Sequence, residues 1–215
     1  MRSRVSPLQP EALRRLPRRS FVHQFLIVLA GTNPVVWRRI QVPARYSFWD
    51  LHVAIQDAMG WEDYHLHEFT LPQPKHDRSV RIGIPDDEFP EERPCLAGWE
   101  TQISEYFDGG SWIAGYVYDF GDNWEHAVLY EGPESPEKNF RYPRCIAGAC
   151  ACPPEDCGGP QGYTHYLEAM RNPRHPDHED MVRWRGPKFD PDDFDPAQVN
   201  FDNPRRRWRL AFEEK

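Results

Sequence analysis

Alternating hydrophobic and polar residues predict a β-hairpin near the start of the chain. Residues 21–29 (FVHQFLIVL) form a strand whose second half is apolar on both faces, which favours a central place in a sheet. Residues 35–42 (VVWRRIQV) alternate regularly, and residues 31–34 (GTNP) between the two segments are typical of a turn. We therefore expect two neighbouring strands joined as a hairpin.

A helical period then predicts one well-defined helix. Ser47 is its predicted N-cap, Asp50 three residues later completes the pattern of a capping box, and Gly60 is the predicted C-terminal stop. The apolar side chains that recur at helical spacing, and should face the core, are Phe48, Leu51, Ile55 and Met59.

The rest of the chain predicts shorter elements separated by loops. Residues 72–111 are rich in proline and acids, and we expect them to be mostly irregular, with short ordered pieces such as residues 79–84. The other predicted elements are strands at 65–71, 115–119 and 123–131, helices at 162–170 and 177–184, and a short helix that opens at Asn203 and Pro204. Hairpin strands with helices between and after them predict an α+β fold, with a mostly antiparallel sheet, a few packed helices and long Pro-rich loops.

Composition places the chain among soluble globular proteins. Its 215 residues fit one domain with tails, and 39% of them are hydrophobic. No apolar run approaches the roughly 20 residues of a membrane span, and the N-terminus lacks the apolar segment of a secretory signal. We expect a cytoplasmic protein with no membrane partner, whose cysteines are reduced, ligated or buried rather than paired.

Charge divides the chain into three predicted parts. Residues 1–20 carry six arginines against one acid and are expected to form a flexible basic arm. Residues 21–202 form the predicted domain, whose strong excess of acids repels a phosphate backbone. Residues 203–215 are a basic tail or short helix. The two basic ends are either exposed to solvent without a partner or in contact with nucleic acid.

A cysteine-rich segment carries the most chemistry. Cys145, Cys150, Cys152 and Cys157 put four thiols in thirteen residues, and soft thiolates at short spacing suit Zn²⁺. One short loop cannot easily place four ligands around a single zinc ion. A site made of three cysteines and a distant histidine is therefore easier to form. A redox thiol is the second interpretation, with Cys157 activated by the following helix N-terminus. Small buried thiols without a ligand are the third.

Three histidines offer a second candidate metal site. His65 and His67 lie two apart on a predicted strand and so share one face, and His126 lies on another strand. If the strands are neighbours, these imidazoles converge on a zinc ion, with His126 also available to the cysteines. The alternative is that they are surface or hydrogen-bonded histidines.

Acidic residues give weaker signals. Asp119-Phe120-Gly121 matches the magnesium tripeptide of kinases, but none of the companion kinase motifs is present, so a hairpin turn is the better interpretation. Glu155-Asp156 and similar acidic pairs on Pro-rich loops are expected to be solvated.

Several segments together resemble one protein family. In order, they are VWRRI, SFWDLHVAIQDAMGW, HLHEF, YDFGDNWEH, CPPEDCGG with GYTHYLEAM, and FDPDDFD. The combination resembles the plasmid pRiA4b ORF-3-like family over about residues 21–202. The resemblance implies an α+β fold and a mobile-element context, but no reaction. Some relatives carry a TnpR-type label, yet the body of the chain lacks the serine and arginine cluster of a serine recombinase.

Three functions remain open from the sequence. The leading hypothesis is a non-enzymatic binding or accessory domain with an unidentified protein partner. The first alternative is a zinc-dependent enzyme that uses Cys145, Cys152 and Cys157, or His65, His67 and His126. The second is a nucleic-acid-associated protein acting through its Arg-rich ends. Trp61, Trp99, Trp112 and Trp124 either line a groove or pack in the core.

Overall fold

A single eight-stranded sheet forms the centre of the molecule. The structure is a computed structural model, and it describes residues 21–72, 79–85 and 94–213, so the predicted basic arm at 1–20 lies outside the described residues. The strands are β1 (Val22–Leu29), β2 (Trp37–Pro43), β3 (His67–Pro72), β4 (Ser79–Gly83), β5 (Cys95–Ala97), β6 (Ile113–Tyr118), β7 (Trp124–Glu134) and β8 (Arg144–Ala149).

The sheet topology confirms an α+β protein. The strand order is β5-β4-β3-β6-β7-β1-β2-β8, and every neighbouring pair is antiparallel except β4 with β5. The predicted hairpin is confirmed as β1 with β2, and the predicted pair near Gly121 as β6 with β7. Strands β3, β6 and β7 are consecutive neighbours in the sheet, so their ends lie side by side.

Helix α1 (Phe48–Met59) covers one face of the sheet. Ser47 and Asp50 form the predicted capping box, and Gly60 ends the helix in the left-handed conformation. Ten of its twelve residues are buried, among them Phe48, Leu51, Ile55 and Met59, because further elements pack over its outer side.

The other helices lie on or beside this layer. They are α2 (Ile103–Phe107), α3 (Gly159–Arg171), α4 (His178–Arg185) and α5 (Pro204–Phe212), with a 3₁₀ turn at Pro196–Gln198. The predicted C-terminal helix is therefore present, and it is fastened to α1: Arg207 forms an ion pair with Asp57 at 2.8 Å, and the Trp49 indole donates to the Pro204 carbonyl at 3.0 Å. Among the described residues no helix combines the length and hydrophobicity that a bilayer crossing requires.

Three sequence expectations need correction. Strand β3 begins at His67, so His65 precedes it in a loop. Residues 72–111 contain β5 and α2 in addition to β4, which coincides with the expected piece at 79–84, and the cysteine segment begins as the edge strand β8. Short edge strands depend on a partner strand rather than on their own alternation, which explains why the local pattern did not reveal them.

Candidate functional site

Three loops meet at one end of the sheet. They follow α1 (residues 60–66), join β6 to β7 (119–123) and follow β8 (153–158). Asp63, Asp119, Asn123 and Asp156 in these loops have φ of 65°, 56°, 53° and 59°. Aspartate and asparagine are the non-glycine residues that tolerate this left-handed region, so the sequence is suited to sharp local turns here.

The second and third loops are locked together by close backbone approach. The Gly158 amide donates to the Asp122 carboxylate at 3.1 Å. Gly159 has φ of 68°, and a Cβ at this position would lie 2.3 Å from the Asp122 carbonyl oxygen. A glycine is therefore required where the two loops touch.

A cluster of three potential metal ligands lies on these loops. His65 Nε2 is 3.0 Å from an Asp156 oxygen and 3.6 Å from an Asp119 oxygen, and all three ligand atoms lie within 4.8 Å of one another. The other oxygen of Asp119 accepts the Gly121 amide at 2.9 Å, which holds the carboxylate towards His65. One imidazole and two carboxylates form a donor set for a divalent first-row metal.

The surroundings of this cluster are acidic. The same three loops carry no lysine or arginine, and their acids are Glu62, Asp63, Asp119, Asp122, Glu155 and Asp156. Two arginines reach the loops from the helices: Arg207 lies 3.5 Å from Asp63, and Arg185 donates to the Glu155 carbonyl at 2.8 Å. The remaining excess of negative charge favours a cation.

A buried carboxylate fixes the loops beneath the cluster. Glu155 accepts the Tyr118 hydroxyl at 2.5 Å and, with its second oxygen, the Glu62 amide at 2.7 Å. The Tyr118 oxygen also accepts the Tyr64 amide at 3.0 Å. Burial and the neighbouring Glu155 raise the pKa of Tyr118, so the phenol keeps its proton and remains a donor.

Two stacked histidines lie deeper in the molecule. The rings of His52 and His67 are nearly parallel, with centroids 3.4 Å apart. His52 contacts an Asp63 oxygen and the Tyr116 hydroxyl, each at 2.8 Å. Because Asp63 can only accept, we assign the proton of His52 to Nε2. Burial lowers the pKa of His67 well below its ordinary value, and His67 Nδ1 is buried with no hydrogen-bond partner among the described residues.

A cavity of about 550 Å³ adjoins both histidine sites. His65 and His67 line it together with Asp63 and Arg207, and the rest of its wall is mainly apolar. Those other lining residues are Trp49, Glu62, Tyr64, Leu66, Ile84, Leu210, Ala211 and Phe212. An apolar space with a few convergent polar groups is typical of a ligand pocket.

The predicted histidine site is only partly brought together. His65 joins the acidic cluster, whereas His67 stacks on His52. His126 is fully buried, with Nδ1 3.0 Å from the Trp124 carbonyl oxygen, and burial lowers the pKa of its imidazole to about 4. Zinc binding by His67 or His126 stays a prediction.

The predicted cysteine site surrounds an arginine. Cys145, Cys150 and Cys152 lie near the buried Arg38, whose guanidinium donates to the carbonyls of Trp37, Ala58 and Ala149 and lies 3.6 Å over the Phe194 ring. All five cysteines are free thiols. Within the described residues none of them belongs to a three-ligand cluster, so the zinc site of Cys145, Cys152 and Cys157 stays a prediction.

The expected low-pKa thiolate at Cys157 is reversed. Burial and the Asp122 charge raise the pKa of Cys157 to about 12, and burial raises that of Cys152 further. Desolvation and a neighbouring carboxylate both oppose the thiolate that the following helix N-terminus was expected to favour. Neither thiol is activated as a nucleophile in this structure.

The sequence did not identify two members of the acidic cluster, and it did not identify any member of a second cluster of potential metal ligands. Asp119 was assigned to a turn and Asp156 to a solvated pair, and both do lie in turns. The second cluster is His165, His175 and Asp177, with His165 Nε2 3.0 Å from Asp177. Neither cluster has a sequence signal of its own, because its members come from separate turns or helices.

The fold and the loop-built acidic site define an α+β protein with a candidate cation site. The chain belongs to the Plasmid pRiA4b ORF-3-like protein family, whose model matches residues 22–198. Uncharacterized protein y4hQ of Sinorhizobium fredii is 36% identical over 175 residues, covering 81% of this chain and 84% of that protein. The crystal structure of MM3350, a protein of unknown function from Methanosarcina mazei Go1, superposes with a TM-score of 0.77 at 42% identity, covering 84% of this chain and 98% of that one.

Proposed function

We propose that the protein is a non-enzymatic accessory domain that binds one divalent first-row metal ion at His65, Asp119 and Asp156. The observation that carries the proposal is that the three ligand atoms lie within 4.8 Å of one another on loops held by hydrogen bonds to the buried Glu155. A cation bound between the three side chains would take the place of the direct contacts of His65 with the two carboxylates. The ligand types suit Mn²⁺, Fe²⁺ or Zn²⁺ better than Ca²⁺, which prefers oxygen ligands alone.

The same segments support a site common to the family. HLHEF supplies His65, YDFGDNWEH supplies Asp119, and CPPEDCGG supplies Asp156. All three lie within the residues that the family model matches. The family resemblance and the geometry thus both support a functional site at the end of the sheet where the three loops meet.

Manganese titration tests the proposal. We expect the full-length protein to bind one Mn²⁺, which removes the spectrum of free aqueous Mn²⁺ in electron paramagnetic resonance, and we expect Zn²⁺ to displace it. Asp119→Asn and Asp156→Asn keep residue types that tolerate positive φ but remove a charged ligand. Each should weaken Mn²⁺ binding by roughly tenfold or more, which corresponds to at least about 1.4 kcal/mol.

The second cluster provides the matched control. Asp177→Asn removes the carboxylate between His165 and His175 and should leave the Mn²⁺ affinity unchanged. Wild-type affinity in the Asp119→Asn protein would refute the assigned site. Loss of binding in the Asp177→Asn protein would move the site to the second cluster.

A metal-dependent enzyme is the second candidate function. The cavity of about 550 Å³ favours it, because His65 belongs both to the metal cluster and to the cavity wall. A small molecule in that cavity would lie beside the bound cation. Mn²⁺-dependent hydrolysis of simple phosphate or carboxylate esters, lost in Asp119→Asn and retained in Asp177→Asn, would support the enzyme over the accessory domain.

A further inference from the structure

A second concave surface, the Trp–Arg groove, lies where α5 crosses the start of α1. We define it by Arg45, Trp99, Arg205, Trp208 and Arg209, and its volume is about 650 Å³. It is distinct from the proposed metal site, and α5 lies beyond the residues that the family model matches.

The groove concentrates positive charge on an acidic protein. Arg45, Arg205 and Arg209 are exposed, and none of them lies within ion-pair distance of a carboxylate in the described part of the chain. A fourth arginine, Arg206, is paired with Asp202 at 3.3 Å. The positive end of the α5 dipole adds to the same field, because Arg205 is in its first turn.

The acids of the groove offset only part of this charge, and the Asp50 carboxylate is stabilised electrostatically by Arg205 and Arg45. Asp50 and Glu100 both line it. The Asp50 carboxylate accepts the Ser47 amide at 3.0 Å as part of the helix cap, so it has a structural partner. Arg45, Arg205 and Arg209 against Asp50 and Glu100 leave an excess of one positive charge, and the guanidinium groups still have donors free for phosphate oxygens.

Aromatic rings lie between the arginines. Trp99 and Trp208 are half-buried, and their ring centroids are 6.2 Å apart at 67°. The Phe212 ring centroid lies 5.1 Å from that of Trp99 and 5.4 Å from that of Trp208, so Phe212 packs against both rings. Rings held by neighbours can stack on a ligand with little loss of side-chain freedom.

We infer that the Trp–Arg groove binds single-stranded nucleic acid, with phosphates on Arg45, Arg205 and Arg209 and bases against Trp99 and Trp208. Interleaved arginine and aromatic side chains are the combination that such strands require. A duplex keeps its bases stacked inside, and the acidic body repels its dense backbone charge. An acidic peptide would use the arginines but would have no rings to stack on the tryptophans.

Fluorescence anisotropy with a labelled 15-nucleotide oligothymidylate tests the inference on the full chain. Contacts with about three phosphates predict a log–log salt slope near about −2, so raising salt from about 50 to 200 mM should weaken binding roughly twentyfold. The Arg205→Ala/Arg209→Ala protein should bind roughly tenfold more weakly, with a shallower slope. Trp99→Ala should weaken binding roughly tenfold, and Trp99→Phe should largely restore it.

Matched controls separate the groove from other surfaces. The Arg171→Ala/Arg174→Ala protein loses two exposed arginines outside the groove and should bind like the wild type. Poly-glutamate of equal charge should fail to compete. Absence of oligothymidylate binding at low salt, wild-type binding by the Arg205→Ala/Arg209→Ala protein, or equal competition by poly-glutamate would each overturn the inference, and the last would assign an acidic peptide instead.

Discussion

At the scale of single residues, the degree of burial determines which role each histidine can have. His67 and His126 are buried, and desolvation lowers the pKa of both imidazoles. His65 is about one third exposed and faces two carboxylates. The interior histidines are therefore neutral hydrogen-bonding and packing groups, whereas His65 presents an accessible ring nitrogen beside two carboxylates.

Acid should destabilise the protein through His126. Its imidazole titrates near 6.5 when unfolded and at about 4 when folded, so between these values the unfolded state binds more protons. This contribution to stability is complete above pH 6.5 and falls by about 1.4 kcal/mol per pH unit as the pH decreases to about 4.

Denaturant unfolding at pH 7.5, 6.0 and 5.0 measures this loss. His126→Asn keeps a donor near the Trp124 carbonyl but cannot titrate, so its stability should fall with pH less steeply than that of the wild type. Equal slopes for the two proteins would show that His126 does not carry the effect.

At the scale of elements, the contact between two turns sets the shape of the proposed metal site. Gly159 opens α3 and touches the β6–β7 turn at Asp122, while Asp119 and Asp156 lie near the same contact. The loops thus hold each other in place, and neither has to define its conformation alone.

Gly159→Ala should disturb this contact strongly. The added Cβ combines a left-handed φ with a clash at 2.3 Å from the Asp122 carbonyl. Gly60→Ala is the matched control, because Gly60 has φ of 84° with nothing within 4 Å of its Cβ. We expect a loss of about 1 kcal/mol for Gly60→Ala and a clearly larger loss for Gly159→Ala, measured by chemical denaturation. Similar losses in the two variants would mean that the contact between Gly159 and Asp122 contributes little to the free energy of unfolding.

Elements with local signals were predictable from the sequence. The capping box at Ser47, the stop at Gly60 and the alternation of β1 and β2 each lie within a few residues. Strand β5 has three residues and pairs in parallel with β4 at the sheet edge, so only its partner defines it.

The candidate site was predictable only in part. His65 was recognised as a possible ligand, but its partners are Asp119 and Asp156 rather than other histidines. These residues are far apart in sequence, and acids in a turn have the same local pattern whether they are solvated or clustered. The assembled sheet is what brings them together.

At the scale of the whole molecule, α5 ties the C-terminal segment to the central layer. Arg207 contacts Asp57, Asp63 and Asp202, and the Asp57 side chain is only 6% exposed. Burial raises the pKa of Asp57, while Arg207 acts in the opposite direction. This arginine therefore compensates buried negative charge and also fixes one wall of the Trp–Arg groove.

Arg207→Ala should loosen this attachment. Removing one partner of a buried ion pair leaves Asp57 without compensation, and we expect a loss of about 3 kcal/mol in the free energy of unfolding. Arg206→Ala removes a neighbouring exposed arginine that pairs with Asp202, and it should cost less than about 1 kcal/mol. Chemical denaturation of both variants, with hydrogen exchange of α5 amides, measures the difference; equal costs would contradict the role given to Arg207.

The chain order of His65, Asp119 and Asp156 gives the proposed cation a second consequence. These ligands come from three well-separated segments, so one bound ion would act as a removable cross-link that closes two long loops. Such an ion would bind the native chain far better than the unfolded one, and above its dissociation constant it would add stability in proportion to the logarithm of its concentration. The lifetime of the protein against proteolysis would then follow the supply of free metal in its surroundings.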